Sequence, residues 1–151
     1  MLYGIVLGAH AGAMSAALLC FAAAEILFAV ARRGRRAPAK LALFAGSIAN
    51  SAASLGVLAG VVLVFVGGWS LRTPWLLVSL GLIGALMVVR RTFVGPWETR
   101  VRSALQGEAS SAQIKMLARE SAALIGRSTV IALFVVVAAL MVAKPALAFS
   151  P

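Results

Sequence analysis

Four apolar stretches separated by basic loops constrain this chain more than any other feature. The stretches 2–30, 41–71, 73–89 and 121–143 contain only two charged residues, Glu25 and Arg127. Each stretch is close to or above the roughly 17–25 residues that cross a bilayer as an α-helix. Hydrophobic residues make up 62 % of the 151 positions, against roughly 45–50 % in soluble domains. The sequence therefore predicts an integral membrane protein.

We expect an all-α fold, a four-helix transmembrane bundle with helices at about 3–30, 41–67, 73–91 and 121–143. No low-complexity tract or linker divides the chain, so residues 1–151 should form a single transmembrane domain. Between the third and fourth helices, Pro96 and Ser110 are suited to begin further helices. We expect one or two amphipathic helices in this loop, lying at the lipid headgroups.

The basic residues predict the orientation. Eleven of the fourteen lie in the first and third loops: Arg32, Arg33, Arg35, Arg36, Lys40, Arg90, Arg91, Arg100, Arg102, Lys115 and Arg119. The second loop contains only Arg72, and the C-terminal tail only Lys144. Because Lys and Arg accumulate in cytoplasmic loops, we expect both termini outside and the location to be the bacterial cytoplasmic (inner) membrane. The same rule explains the net charge of +10 without a nucleic-acid partner.

Three tryptophans lie near the ends of the predicted helices. Trp69 and Trp75 flank the second loop, and Trp97 follows the third helix. Because indole rings favour the boundary between lipid and water, we expect all three to be interfacial anchors.

The sequence contains no recognisable catalytic constellation. It has one histidine and one cysteine, and it lacks a glycine-rich phosphate loop and a His-Glu-x-x-His motif. The sequence therefore favours a non-enzymatic protein and leaves an enzymatic role open. The informative residues are the polar ones at membrane depth, which are costly there and are functional candidates by default. They are His10, Glu25, Asn50 and Arg127.

Glu25 and Arg127 are candidates for an ion pair. Each lies about five residues inside the cytoplasmic end of its helix, which places both roughly 7–9 Å deep. A lone charge in hydrocarbon is costly, so opposite charges at one depth favour pairing. The alternative is that each side chain extends separately to the interface.

His10 has three interpretations. It is a hydrogen-bonded structural residue, a haem or metal ligand, or a proton carrier. Met14 lies one helical turn further on and provides a second soft ligand for copper. Haem b and copper are thus the candidate cofactors, and the absence of a cofactor is the default expectation.

Small residues form two strips that predict close helix packing. The first helix carries Gly4, Gly8 and Gly12 on a face nearly opposite His10. The second helix carries Ser47, Ser51 and Ser54 near Asn50, a pattern typical of packing and interhelical hydrogen bonds. Since the first helix then has two faces that favour protein contacts, its glycines are expected to meet a neighbouring helix or another chain.

Three stretches carry a family resemblance: LGAHAGA in the first helix, the segment from Leu58 across the second loop, and the closing MVAKP. The chain resembles the uncharacterised family of small four-helix bacterial predicted integral membrane proteins. That family is similar in architecture to the copper-resistance D membrane domain and to the J-type membrane protoporphyrinogen oxidase. The resemblance implies the four-helix fold and a haem ligand at the position of His10. The later-helix lysine that accompanies this ligand in the oxidase has no counterpart here, since Arg90 and Arg91 close the third helix.

The function expected from the sequence is that of a small polytopic inner-membrane protein, a non-enzymatic accessory or scaffolding subunit. Its partners would be the lipid bilayer and other membrane protein chains, in a homo-oligomer or a larger complex. The alternative is a haem- or copper-binding membrane protein that uses His10 in redox chemistry or metal transport.

Overall fold

The computed structural model describes residues 1–107 and 109–143, and this part of the chain is almost entirely helical. The helices are α1 (Leu2–Ala31), α2 (Arg36–Val66), α3 (Pro74–Val89), α4 (Gly95–Gln106), α5 (Ser111–Ala118) and α6 (Ser121–Ala143). A π-helical segment, Arg90–Val94, joins α3 to α4 without a break. Lys144 and the predicted outer C-terminus lie outside the described residues.

Four helical segments are long and apolar enough to cross a membrane: α1, α2, the continuous helix Pro74–Gln106, and α6. The described residues thus have the architecture of a multi-pass membrane protein. Two predicted boundaries were wrong. The second helix begins at Arg36 rather than near residue 41, because Pro38 lies in its first turn, where proline is tolerated. The third continues past residue 91, because the π-helical segment carries the chain directly into α4.

The helices pack mainly as two pairs, α1 with α2 and α3 with α6. The turn between α1 and α2 contains Gly34 at φ +81°, where a Cβ atom would lie 2.9 Å from the carbonyl oxygen of Ser111. The first pair meets through small buried residues, which let two helix backbones approach closely. These are Ala17, Ala24, Ala31, Ala39, Ala42, Ala49 and Gly56.

The two ends of the bundle differ, and we name them by their loops. The basic end carries the 32–35 turn together with α4 and α5, and the turn end carries the 67–73 turn. The largest core cluster lies at the basic end, where Phe28 and Trp97 pack with Val101, Leu105 and Ile114. At the turn end, Trp69 and Trp75 contact each other edge to face, with ring centroids 5.6 Å apart.

The segment between α3 and α6 packs against protein. Trp97, Val101 and Leu105 of α4 and Ile114 of α5 are all buried, although we expected these helices to lie along the headgroups. The apolar stripe of each helix covers the ends of α1 and α2, because those ends expose apolar surface at the same level.

Candidate functional site

A cavity of about 670 Å³ lies between the two helix pairs and is lined by α1, α2, the continuous third helix and α6. Fifteen of its twenty lining residues are apolar, and the polar ones are His10, Ser15, Asn50, Ser54 and Arg90. On α1 it extends from Leu7 to Phe21, a span of about 21 Å at the helical rise. Its volume falls within the roughly 300–1,000 Å³ of small-molecule sites. Since several lining residues are exposed, the cavity also opens to the surroundings of the bundle.

His10 is held at the edge of this cavity by the backbone of α2. Its Nδ1 atom lies 2.7 Å from the carbonyl oxygen of Gly56. A Cβ atom at Gly60 would lie 3.1 Å from the ring carbon Cε1, so a glycine at this position makes room for the imidazole. The imidazole therefore packs closely on α2 at Gly60 and is hydrogen-bonded to the backbone one turn earlier, at Gly56.

The Gly56 hydrogen bond determines the tautomer of the neutral imidazole. A carbonyl oxygen only accepts, so Nδ1 carries the proton and donates it. Nε2 then holds a lone pair, and no described residue donates a hydrogen bond to it. Metal-ligating histidines have this arrangement, one nitrogen donating to a carbonyl and the other facing the ligand.

The other predicted ligand, Met14, also lines the cavity, as does Asn50, which was predicted as a buried polar residue. Met14 packs on α2, where a Cβ atom at Gly56 would lie 2.6 Å from its sulfur. Asn50 lies on the cavity wall, away from Glu25. Within residues 1–107 and 109–143, no group of three or more His, Cys, Asp or Glu side chains could hold a metal ion. The donor set at His10 is therefore one imidazole with nearby thioethers.

Below the cavity, towards the basic end, the structure brings Glu25 and Arg127 together. Arg127 Nε donates to Glu25 Oε1 over 2.6 Å, the pairing that their equal depths predict. The guanidinium carbon lies 4.8 Å from the ring centroid of Phe28 and 4.2 Å from that of Trp97. Arg127 is 6 % exposed, so the ion pair and the two rings together stabilise a cation inside the protein.

A second ion pair lies beside the first and was missed from the sequence. Arg90 Nη2 donates to Glu98 Oε2 over 3.3 Å. From the sequence, Arg90 was placed among the basic residues of the third loop, and Glu98 was not singled out. The two ion pairs surround a small chamber of about 30 Å³. In the sequence, the signal for this ion pair was the spacing of eight residues between Arg90 and Glu98. The π-helical segment is what brings Arg90 to this position.

The large cavity and the small chamber adjoin each other. Phe21 and Arg90 line both. The Phe21 ring meets Phe134 edge to face, with centroids 6.0 Å apart, at the inner end of the large cavity. The two spaces are therefore successive parts of one elongated site, with an apolar part towards the turn end and a charged part towards the basic end.

The remaining predicted site residues lie elsewhere. A Cβ atom at Gly4, Gly8 or Gly12 would meet nothing within 4 Å, so this strip faces away from the described helices. Ser47 and Ser51 are exposed, and Ser54 lines the cavity.

Trp97 differs most from its expected place at the interface. It is fully buried, and its Nε1–H donates to the carbonyl oxygen of Leu117 over 2.9 Å. The indole N–H thus has a protein partner and does not need the interface to satisfy it.

No protein-family model matches the chain, and neither a search of the curated proteins nor a search of the solved structures gives a match.

Proposed function

We propose that this protein binds one apolar, membrane-soluble molecule in the large cavity between its two helix pairs. The cavity itself carries the proposal, because about 670 Å³ lined mainly by apolar side chains would cost contact energy if nothing filled it. An opening between helices admits such a molecule sideways from the bilayer. The chain would then act as an intramembrane binding protein, with no chemical step of its own.

His10 provides a directional contact in this site, beside the polar lining residues Ser15, Asn50, Ser54 and Arg90. Its Nε2 lone pair accepts a hydrogen bond from a hydroxyl group or coordinates a metal. Haem b fits this arrangement, since a single imidazole is a sufficient protein ligand for a five-coordinate haem iron. Copper fits less well, because the described residues near His10 add only thioether sulfurs.

A binding experiment tests the proposal on the purified protein. The chain is extracted in a mild detergent, and native mass spectrometry measures what remains bound while a visible spectrum detects haem. In Val57→Trp the larger indole projects into the cavity and obstructs it, because Val57 lines it. The matched control is Val61→Trp one turn further along α2, at an exposed position.

The expected result is a bound molecule in the wild type and the control that is lost in Val57→Trp. A haem absorption band that disappears in His10→Ala would identify the molecule as haem. A wild-type protein that carries nothing, and takes up nothing from added membrane lipids or haem, would contradict the proposal.

A second candidate function is that of an accessory or scaffolding subunit, favoured by the unpartnered glycine strip. Gly4, Gly8 and Gly12 leave a smooth face with no described atom opposite it, and small residues at this spacing let a second helix approach closely. The mass of the particle in lipid nanodiscs tests this candidate. A mass that falls by half in Gly8→Leu would support lateral assembly, and a monomeric wild type would exclude self-assembly.

We further propose that the basic end faces the cytoplasm of a bacterial inner membrane, with both termini outside, because the basic loops follow the positive-inside rule. The exposed residue Ser70 lies in the 67–73 turn. In Ser70→Cys on a Cys20→Ala background, an impermeant thiol reagent should label intact cells from outside. Labelling only after the cells are opened would reverse the orientation.

A further inference from the structure

The guanidinium of Arg127 has an unused end. Its Nε is bound to Glu25, but Nη1 and Nη2 are buried and have no hydrogen-bond partner. The side chain is 7 % exposed. A buried charged donor without an acceptor is costly. We therefore expect a group with acceptor oxygens to bind these two nitrogens in the chamber that Arg127 lines.

The chamber is matched in size to a small group with two acceptor atoms. Its volume of about 30 Å³ accommodates about two water-sized atoms, at roughly 10–15 Å³ each. Nη1 and Nη2 form the terminal fork of a guanidinium, which binds the two oxygens of a carboxylate in parallel. Among the described buried side-chain atoms, the unpartnered ones are all arginine nitrogens, so the site lacks acceptors and not donors.

Charge favours an anion over a neutral acceptor. The two ion pairs around the chamber cancel, but the surrounding loops do not. The segments 32–40 and 90–120 contain eleven basic residues against three glutamates. The resulting positive potential at this end of the bundle attracts an acidic group to the chamber.

The length of the combined site restricts what carries this group. His10 and Glu25 are fifteen residues apart on α1, which corresponds to about 22 Å. A molecule that occupies the large cavity and has its acid at Arg127 must therefore run past Phe21, which lines both spaces. A long chain meets this requirement, and a compact ring coordinated at His10 does not reach the chamber.

We propose that the ligand of this protein is a single-chain, long-chain carboxylic acid. Its carboxylate binds Nη1 and Nη2 of Arg127 in the chamber, beside Arg90, and its hydrocarbon chain lies in the large cavity towards His10. This inference rests on the proposed binding function and names the chemical class of the molecule bound. The apolar cavity gives affinity for the chain, and Arg127 gives selectivity for the acid.

A matched pair of probes tests the inference. Hexadecanoic acid and methyl hexadecanoate differ only in the charge and bulk of the head group, and native mass spectrometry measures the affinity of each for the whole protein in nanodiscs. The test variant is Glu25→Gln with Arg127→Gln, which removes both charges and leaves none unpaired. The control is Arg72→Gln, at an exposed position of the turn end.

The wild type and Arg72→Gln should prefer the acid to the ester by about tenfold or more, the value of one charge-assisted pair of hydrogen bonds. In the double variant the preference should vanish while both probes still bind. Equal binding of acid and ester by the wild type would overturn the inference and leave the proposed binding function intact. Water would then be the hydrogen-bond partner of Arg127 Nη1 and Nη2. If neither probe binds and another molecule does, the inference is also wrong. If nothing binds, both proposals fail.

Discussion

The two helix pairs are packed closely at the basic end of the bundle and are separated towards the turn end. At the basic end, Trp97 and Phe28 are almost fully buried and contact each other, and Arg127 lies against both rings with Glu25 as its counter-ion. Towards the turn end, the two helix pairs separate around a cavity of about 670 Å³. One end therefore provides most of the packing that holds the pairs together, and at the other the pairs leave a cavity between them.

The difference follows from what drives helix association in lipid. Lipid tails are as apolar as leucine, so helices gain little from burying aliphatic surface and associate through close packing and polar contacts. The basic end has the large rings and the ion pairs that meet these conditions. The aliphatic side chains around the cavity gain nearly as much from lipid as from each other, so the pairs can remain apart there.

The largest expected effect is that of Trp97→Ala. The substitution leaves a cavity beneath Phe28 and Arg127 and removes the hydrogen bond to Leu117, which should lower the free energy of unfolding by about 3–5 kcal/mol. Trp75→Ala, at a half-exposed position of the turn end, should cost no more than about 1–2 kcal/mol. Unfolding in mixed detergent micelles measures both. Equal losses would show that the two ends contribute equally.

Arg127→Gln should have the next largest effect. The substitution leaves the Glu25 carboxylate without its partner and should lower the free energy of unfolding by about 2–3 kcal/mol. This is less than the loss for a fully buried pair, because the Glu25 side chain is 24 % exposed. In the double variant Glu25→Gln, Arg127→Gln no charge is left unpaired, and at least half of the loss should be recovered. The same unfolding assay decides, and a double variant less stable than the single would argue against pairing as the origin of the effect.

Patterns along a single helix were predictable from the sequence, and the placement of one helix against another was not. Hydropathy located four helices, and depth alone suggested that Glu25 and Arg127 meet. The hydrogen bond from His10 to Gly56 depends on how α1 lies on α2, which residue spacing within α1 does not specify. Trp97 shows the same limit, because a tryptophan beside a helix end suits an interface as well as a core.

The π-helical segment is the clearest case of a feature without a usable sequence signal. One extra residue per turn between Arg90 and Val94 rotates the following helix, so that Glu98 reaches Arg90 and Trp97 reaches Phe28. Such segments often occur at functional sites. The two arginines that begin this π-helical segment, Arg90 and Arg91, are equally typical of a cytoplasmic loop. We therefore predicted from the sequence that the third helix ends at this point.

Gly126→Ala tests the packing of the basic end with the smallest possible change. A Cβ atom at Gly126 would lie 2.9 Å from Cβ of Phe93 and 3.4 Å from Cγ2 of Val94. The nearer atom is fixed to a helix backbone, so α6 must shift away from the π-helical segment, at a cost of about 1–2 kcal/mol. The midpoint of unfolding should fall accordingly, and no change would indicate that these two helices move apart more easily than the packing implies.

The smallest effect is expected from the matched substitution on the exposed glycine strip of α1, Gly12→Ala. No described atom lies within 4 Å of the new methyl group, and alanine favours a helix over glycine by up to about 1 kcal/mol. The chain alone should therefore be unchanged or slightly more stable. A Gly12→Ala protein that unfolds earlier than the wild type would mean that this strip is already covered, since the methyl group could then destabilise only by meeting a second chain. The particle masses of Gly12→Ala and Gly126→Ala distinguish packing between chains from packing within one chain. A variant that loses contacts between chains has a lower particle mass, and a variant that loses contacts within the chain keeps its mass.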